Sequence, residues 1–213
     1  MSDAPELVED DAGLSLVGGG QVLRADFSRM LPRLRQPNLS RELLVRAARI
    51  RGAQGVLRAV DATAGLGEDA LLLAAAGFWV RLFERDPLIA ALVDDGLRRA
   101  RQTPELAEVA SRMELVAGDS VQGLATLPWT PDVVYLDPMF PERRRKAATK
   151  KKLQLIQQLE RPCEDEEGLL RAALAAGPRK VVVKRPLKGP CLGSVKPSHS
   201  VRGKVVRYDV IVP

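Results

Sequence analysis

The stretch VLRAVDATAGLGEDALLLAAAG, residues 56 to 77, places a glycine-containing turn directly between an apolar strand pattern and an apolar helix pattern. At such a junction the backbone can approach a ligand closely, and the first N–H groups of the helix point outward. We therefore expect a nucleotide-like cofactor at Asp61, Gly65 and Gly67. The spacing departs from G-x-G-x-x-G because no third glycine follows Gly67 in register, so simple tight-turn glycines would also explain the stretch.

Apolar runs rich in β-branched residues recur along the chain with helical patterns between them. This alternation predicts an α/β fold with a mostly parallel, doubly wound sheet covered by helices. The last run follows a stretch rich in Pro, Gly and Ser, residues 186 to 203, and we expect it to return antiparallel to the preceding strand. The predicted strands are residues 56–61, 79–84, 113–116, 132–136, 180–184 and 205–212.

Two of the intervening helices carry clear end signals. Asp86 is expected to cap one helix, with Pro87 at its first position. Asp165 is expected to cap another, which Gly177 and Pro178 end. Before residue 56, LSLVGGGQVLRADF predicts a glycine-broken hairpin and SRELLVRAARI predicts a helix capped by Ser40. We therefore divide the chain into an N-terminal extension packed on the core, residues 1–55, and a main domain, residues 56–213.

The formal net charge of +6 is concentrated in one segment. Residues 142 to 152 contain seven basic side chains and one acidic side chain, which sum to +6, so the rest of the chain is neutral overall. A localised cluster indicates a site for a polyanion, with nucleic acid as the first candidate, although a solvated basic loop is the alternative. Its basic residues are Arg143, Arg144, Arg145, Lys146, Lys150, Lys151 and Lys152.

Several classes of protein are excluded by what the sequence does not contain. Cys163 and Cys191 are far apart and His199 is the only histidine, so we expect no disulfide framework and no metal, and we expect His199 in an exposed loop. The acidic start and the absence of an apolar run of about 18 residues predict a cytoplasmic protein without a membrane segment. We expect a monomer.

The second and third predicted strands end in polar groups that suit an adenosine. Glu84 ends the run WVRLFE, where a carboxylate can accept both ribose hydroxyl hydrogens. Asp119 and Ser120 follow the next strand and could meet the adenine amino group, although such a pair more often forms a turn or helix cap. NAD and S-adenosylmethionine would both satisfy these features.

The fourth strand end favours S-adenosylmethionine. DVVYLDPMF delivers Asp137, Pro138, Met139 and Phe140 to the carboxyl edge of the sheet, and hydride transfer has no evident use for this group. Transfer to an exocyclic amine needs acceptors for its N–H hydrogens, which the Asp137 carboxylate and the Pro138 carbonyl supply. Phe140 offers the base a stacking surface worth about 1–3 kcal/mol. The sulfonium is already a good leaving group, so positioning should supply most of the rate. The same chemistry would accept adenine N6 or guanine N2.

The chain resembles the ribosomal RNA small subunit methyltransferase J family in several motifs taken together. These are VDATAGLGEDA, LFERDPLIAALVDDGL, VVYLDPMFP and KVVVKRP, with the basic run between the last two. The resemblance implies a Rossmann-like class I methyltransferase fold, S-adenosylmethionine as donor, and methylation of the N2 amine of one guanosine in 16S rRNA. The partner is then 16S rRNA or the small ribosomal subunit. It also implies cofactor contacts at Glu68, Asp69, Glu84, Arg85, Asp119, Ser120 and Asp137.

The basic segment and the pair Lys184 and Arg185, on the following strand, are then expected to bind the phosphates that flank the target base. Two other hypotheses remain. A NAD-dependent oxidoreductase would explain the glycine turn and Glu84 only. A non-catalytic RNA-binding protein would explain the charge but would leave Asp137 and Phe140 without a task.

Overall fold

The computed structural model describes residues 5–138 and 165–213, and its centre is a seven-stranded sheet in the order β6-β5-β4-β7-β8-β10-β9. The pairs β4 with β5, β4 with β7, β5 with β6 and β7 with β8 are parallel, whereas β10 is antiparallel to both β8 and β9. The strands are β4 (Leu57–Asp61), β5 (Phe78–Glu84), β6 (Met113–Ala117), β7 (Val133–Leu136), β8 (Lys180–Pro186), β9 (His199–Arg202) and β10 (Val206–Ile211).

Helices cover both faces of this sheet, as a parallel sheet requires. The described helices are α1 (Leu31–Leu34), α2 (Asn38–Arg41), α3 (Leu43–Ala48), α4 (Glu68–Ala75), α5 (Pro87–Gln102), α6 (Pro104–Ser111), α7 (Ser120–Ala125) and α8 (Glu166–Ala175). None of the helices in the described ranges is long and apolar enough to cross a membrane.

Alternate residues of the central strands enter two apolar layers because successive side chains point to opposite faces. Along β8, Val182 joins the layer that contains Leu71 and Leu92, from α4 and α5, while Val181 and Val183 join the layer that contains Leu170, from α8. These side chains are almost completely buried, and each buried aliphatic side chain contributes about 1.5–3 kcal/mol. The α/β fold with an antiparallel C-terminal strand is therefore confirmed.

The sheet reverses its direction of growth at β4, which has β5 on one side and β7 on the other. Ligands of doubly wound sheets bind outside the carboxyl ends of the strands at such a switch point. The Ala62 N–H donates to the Tyr135 carbonyl at 3.0 Å, and the Asp137 N–H donates to Thr63 Oγ1 at 2.6 Å. These two hydrogen bonds hold the turn after β4 against the end of β7.

The helix ends follow the sequence signals closely. Asp86 Oδ1 accepts from the Leu88 and Ile89 N–H groups with Pro87 first in α5, and Asp165 caps α8 through the Gly168 N–H, as predicted. The Ser40 prediction is wrong, because Ser40 lies inside α2 and its hydroxyl donates to the Pro37 carbonyl. A serine in a short helix satisfies itself on a nearby carbonyl in this way.

The N-terminal segment contains a second, three-stranded sheet of β1 (Glu6–Asp10), β2 (Gly13–Gly18) and β3 (Gln21–Leu23). Buried residues of this segment, such as Leu16 and Leu23, share one apolar cluster with the main sheet. The division of the chain at residue 55 stays a prediction.

Strand β9 lies within the stretch rich in Pro, Gly and Ser from 186 to 203, which is not among the strands predicted from the sequence. It is four residues long, exposed or half-buried throughout, and forms one edge of the sheet. A short, polar edge strand has no apolar alternation to reveal it, so only its pairing with β10 defines it.

Candidate active site

The turn between β4 and α4 is built around two glycines in the left-handed region. Gly65 has a φ of 51° and Gly67 a φ of 74°, and the Gly67 N–H donates to the Ala64 carbonyl at 2.8 Å. Asp61 begins the turn, and its Oδ1 accepts from the Thr63 N–H at 3.1 Å. Gly67 caps α4 without a side chain, so the first N–H groups of the helix remain available to a ligand.

Glu84 at the end of β5 braces this turn. One carboxylate oxygen, Oε2, accepts from the Gly65 N–H at 2.9 Å, and the other, Oε1, accepts from the Asp86 N–H at 2.8 Å. The side chain is 6% exposed, and burial raises the pKa of Glu84 although these backbone N–H groups oppose the shift. Each oxygen has a second lone pair, so the carboxylate can still accept hydrogens from a ligand.

Asp119 and Ser120 follow β6 beside Glu84, since the Gly118 N–H donates to the Glu84 carbonyl at 2.8 Å. Asp119 Oδ1 caps α7 through the Val121 and Gln122 N–H groups. The helix-cap alternative is therefore realised, while the contact with adenine stays a prediction. Glu68 and Arg85 are both exposed, and their predicted cofactor contacts likewise remain predictions.

Lys184 joins two carboxylates from different elements. Its Nζ lies 2.8 Å from Asp69 Oδ2, in the first turn of α4, and 2.8 Å from Asp137 Oδ2, directly after β7. The Tyr135 hydroxyl donates to the same oxygen of Asp69 at 2.6 Å. The predicted cofactor residue Asp69 and the predicted catalytic residue Asp137 are thus brought together by one cation.

The electrostatics of this cluster are set by burial and close charges. Burial raises the pKa of Asp137, although Lys184 opposes that shift. Burial also opposes the charge of Lys184, but Asp69 and Asp137 outweigh it and raise the pKa of Lys184 above its ordinary value. Burial raises the pKa of Asp61, which is fully buried, to about 8, and Asp61 Oδ2 has no hydrogen-bond partner among the described residues.

Lys184 and Arg185, the predicted pair of phosphate ligands, both have partners within the protein. Adjacent residues of a strand point to opposite faces, so the two side chains meet different surroundings. Arg185 is 1% exposed, its Nε donates to the Pro190 carbonyl at 2.8 Å, and its guanidinium lies 3.7 Å from Glu166. Lys184 is engaged by Asp69 and Asp137. Lys184 therefore belongs to the active-site cluster and Arg185 packs between α8 and the loop after β8, while a contact of either residue with RNA phosphates stays a prediction.

Other predicted residues reach only the border of the described chain. Pro138 is buried immediately after Asp137, which places it at the same strand end. The remaining predicted residues lie outside the described ranges, and their roles stay predictions: Met139, Phe140, Arg143, Arg144, Arg145, Lys146, Lys150, Lys151 and Lys152.

Sequence reasoning missed Thr63 and Tyr135, and it did not foresee that Lys184 pairs with Asp69 and Asp137. Thr63 accepts the Asp137 N–H, and Tyr135 steadies Asp69 from the strand that delivers Asp137. Strand alternation could have signalled both Tyr135 and Lys184, because Tyr135 and Asp137 share one face of β7 and the next strand presents Lys184 to the same face. In residues 5–138 and 165–213, no group of three or more His, Cys, Asp and Glu side chains is arranged to hold a metal ion.

Comparison with known proteins places this geometry among methyltransferases. A family model described as "putative SAM-dependent methyltransferase" matches residues 5–213, where SAM is S-adenosylmethionine. A crystal structure of a SAM-dependent methyltransferase from Neisseria gonorrhoeae superposes on this chain with a TM-score of 0.81 at 32% identity. The match covers 100% of this chain and 84% of the Neisseria chain. The rRNA methyltransferase aviRa from Streptomyces viridochromogenes has a TM-score of 0.55 at 17% identity over 82% of this chain and 84% of its own, and shows the fold alone.

Curated relatives carry the name ribosomal RNA small subunit methyltransferase J. The protein from Pseudomonas fluorescens strain Pf0-1 is 48% identical over 74% of this chain and 62% of its own length. The protein from Pseudomonas aeruginosa strain LESB58 is 49% identical over 72% of this chain and 59% of its own. The protein from Pseudoalteromonas atlantica is 47% identical over 80% of this chain and 68% of its own. The matched part thus spans about three fifths of the length of the two Pseudomonas relatives.

Proposed function

We propose a methyl-transfer reaction for this chain, which belongs to the SAM-dependent methyltransferase family and to its ribosomal RNA small subunit methyltransferase J branch. In the proposed reaction the chain methylates the exocyclic N2 amine of a guanosine in 16S rRNA, with S-adenosylmethionine as methyl donor. The observation that carries the proposal is the Asp137–Lys184 ion pair at the carboxyl end of β7. Asp137 is two residues beyond Tyr135, whose carbonyl accepts the Ala62 N–H and so holds the glycine turn against β7.

The residues present fit S-adenosylmethionine by their chemistry. Its ribose hydroxyls need an acceptor, which the Glu84 carboxylate supplies, and its carboxylate needs donors, which the open N–H groups of α4 supply beside Gly65 and Gly67. Its ammonium needs a hydrogen-bond acceptor, and Asp61 has an oxygen without a partner among the described residues. When bound, the cofactor supplies a methyl group on a positively charged sulfur.

The chain's own contribution to the reaction is to hold and orient an amine. The lone pair of an aryl amine is delocalised into its ring, so acceptors on its N–H hydrogens must turn the nitrogen toward the methyl group. Asp137 supplies a carboxylate, and Lys184 fixes its position and opposes the burial that would protonate it. Thr63 holds the Asp137 backbone at 2.6 Å. Such positioning contributes to rate without a strong base.

The partners and the setting of the protein follow from this reaction as parts of the proposal. The substrate is 16S rRNA, free or in the small ribosomal subunit, and a cytoplasmic monomer would meet it there. The reaction itself requires no metal, because the sulfonium is already a good leaving group. Adenine N6 remains the alternative acceptor.

The proposal is tested by supplying isotopically labelled S-adenosylmethionine and small-subunit rRNA that lacks the modification, then digesting the RNA to nucleosides. Labelled N2-methylguanosine is the expected product, and the Asp137→Ala variant is the control for background transfer. Labelled N6-methyladenosine would move the assignment to the alternative acceptor. Calorimetry should detect binding of S-adenosylhomocysteine; binding of NAD in its place would overturn the cofactor.

A further inference from the structure

The C-terminal part of the chain contains a group of exposed basic side chains that the active site does not use. No Asp or Glu occurs between Glu167 and Asp209. Within that interval, the loop after β8, strand β9 and the turn after β9 expose four cations, which we call the cationic edge: Lys188, Lys196, Arg202 and Lys204. The chain outside residues 142–152 is neutral overall, but it therefore contains a second segment in which the charges are all positive.

The cationic edge differs from its neighbours in lacking carboxylate partners. Arg179, Lys184, Arg185 and Arg207, from the same interval, each form an ion pair with Asp or Glu. Within the described ranges, the four residues of the cationic edge form none. An exposed cation without a partner retains its full attraction for a polyanion.

Topology places three of these cations at the edge of the sheet where methyl transfer is proposed. β9 runs parallel to β8, since both are antiparallel to β10, so Arg202 lies at the carboxyl edge that also bears Asp137. The Leu187 N–H donates to the Val205 carbonyl at 3.1 Å, which brings Lys188 and Lys204 to that edge. Three strand spacings separate β7 from β9, about 14 Å in all, which a short run of nucleotides can span.

The fourth cation lines a cleft that leads along β9 to this edge. The cleft has a volume of about 440 Å³, and Lys196, His199 and Arg202 line it above a floor that includes Arg207 and Asp209. His199 is exposed, as predicted, but it starts β9 and does not lie in a loop. Arg207 is paired with Asp209 and donates to the Pro186, Leu187 and Gly189 carbonyls at 2.7 to 3.0 Å. The floor therefore holds the loop that carries Lys188 in place.

We infer that the cationic edge binds phosphates of the RNA strand that flanks the target base, an inference that rests on the proposed function and adds a second contact surface to it. The alternative is that the charges only protect an edge strand from pairing with another chain. Edge protection requires charge on β9 itself and gives no reason for Lys188 and Lys204, which lie outside that strand. A phosphate surface at the carboxyl edge accounts for all three of Lys188, Arg202 and Lys204.

The test compares two double variants of equal charge change. R202Q/K204Q removes two cations of the edge, and R49Q/R51Q removes two exposed cations at the opposite edge, where Lys180 at the start of β8 donates to the Arg49 carbonyl at 2.9 Å. Binding to single-stranded rRNA fragments is measured across a salt series without cofactor. R202Q/K204Q should reduce the salt slope by up to about 0.7 for each lost contact and raise the KM for rRNA. R49Q/R51Q should keep the wild-type slope.

Equal slopes for R202Q/K204Q, R49Q/R51Q and the wild type would overturn the inference. A wild-type slope together with aggregation of R202Q/K204Q would also overturn it and assign the charges to edge protection. K188Q/K196Q repeats the comparison on the loop, so a folding defect in one pair does not end the test. The slope needs no methyl transfer, so wild-type protein that binds RNA through this edge but transfers no methyl group would contradict the proposed reaction, while the RNA contact of the edge would still be established.

Discussion

Two sets of basic side chains near the carboxyl edge of the sheet meet their surroundings in opposite ways. Lys184 is enclosed by Asp69 and Asp137 at 2.8 Å from each, whereas Arg202 and Lys204 are exposed and, in the described chain, without carboxylate partners. A cation that is paired and half-buried fixes the geometry of its partners. A cation that is exposed and unpaired remains available to bind an anion from outside. Lysine and arginine therefore serve positioning in one region and binding in the other.

The largest expected effect comes from removing the carboxylate that faces the proposed amine. Asp137→Ala should lower the rate of methyl transfer by about 10²-fold or more, because a misplaced reacting group costs that much, while RNA affinity changes far less. Single-turnover kinetics and RNA binding measure the two quantities. Asp137→Asn, which keeps an acceptor oxygen without the charge, should lie between Asp137→Ala and the wild type. Near-normal turnover of a folded Asp137→Ala protein would remove Asp137 from the mechanism.

Glu84→Ala should weaken S-adenosylhomocysteine binding by about 10- to 100-fold, since hydrogen bonds to a charged group contribute about 1.5–3 kcal/mol. The Gly65 and Asp86 N–H groups lose their acceptor as well, so part of the loss reflects a loosened turn. Glu84→Gln, with one acceptor oxygen retained, should lose less affinity. Calorimetry on protein whose thermal unfolding has been checked decides the matter, and a folded Glu84→Ala protein with wild-type affinity would contradict the assignment.

Lys184→Met should lower activity by about tenfold and shift its dependence on pH. Lys184 lowers the pKa of Asp137 against the effect of burial, so without the cation this pKa rises. A higher pKa keeps the carboxyl protonated to higher pH, and the acidic limb of the pH–rate profile should move upward. Lys184→Arg should restore most of the wild-type profile. Loss of stability with an unmoved acidic limb would reduce Lys184 to a structural role.

The smallest expected effect concerns stability and Asp61. Because the folded pKa of Asp61 is about 8 and its ordinary value is 3.8, the unfolded chain releases this proton first as the pH rises. Stability from this group is thus lost between about pH 4 and about pH 8. When the pH is raised from about 6 to about 7, the free energy of unfolding of the cofactor-free wild type should fall by about 1 kcal/mol more than that of Asp61→Asn. Denaturant unfolding at both pH values measures this, with the exposed Asp94→Asn as control. Parallel losses in wild type and Asp61→Asn would show that Asp61 is ionised in the fold.

The cationic edge sharpens the comparison because its variants should leave three of these quantities unchanged. R202Q/K204Q should retain the cofactor affinity, the acidic limb and the pH dependence of stability of the wild type. A shift of the acidic limb in R202Q/K204Q would show that the two regions are electrostatically coupled. The distinction between positioning and binding cations would then fail.

The local sequence determined much of the fold and the outline of the site. The Asp86–Pro87 and Asp165 signals fixed two helix starts, and five of the β-rich runs coincide with the five parallel strands within two residues. The glycine turn, Glu84 and Asp137 were located because each lies directly after or at the end of a strand. Caps, turns and strand patterns depend on neighbours a few residues away, so the sequence shows them directly.

Only the tertiary structure decided which charges meet. Lys184 and Asp69 are 115 residues apart in sequence, and the burial of Asp61, the enclosure of Arg185 and the edge position of β9 likewise depend on elements distant in the chain. The sign of a side chain's charge is written in the sequence, but its partner and its exposure depend on which elements pack against it. Lys184 and Lys204 are the same residue type twenty positions apart, and packing alone makes the first a positioning group and the second an exposed cation.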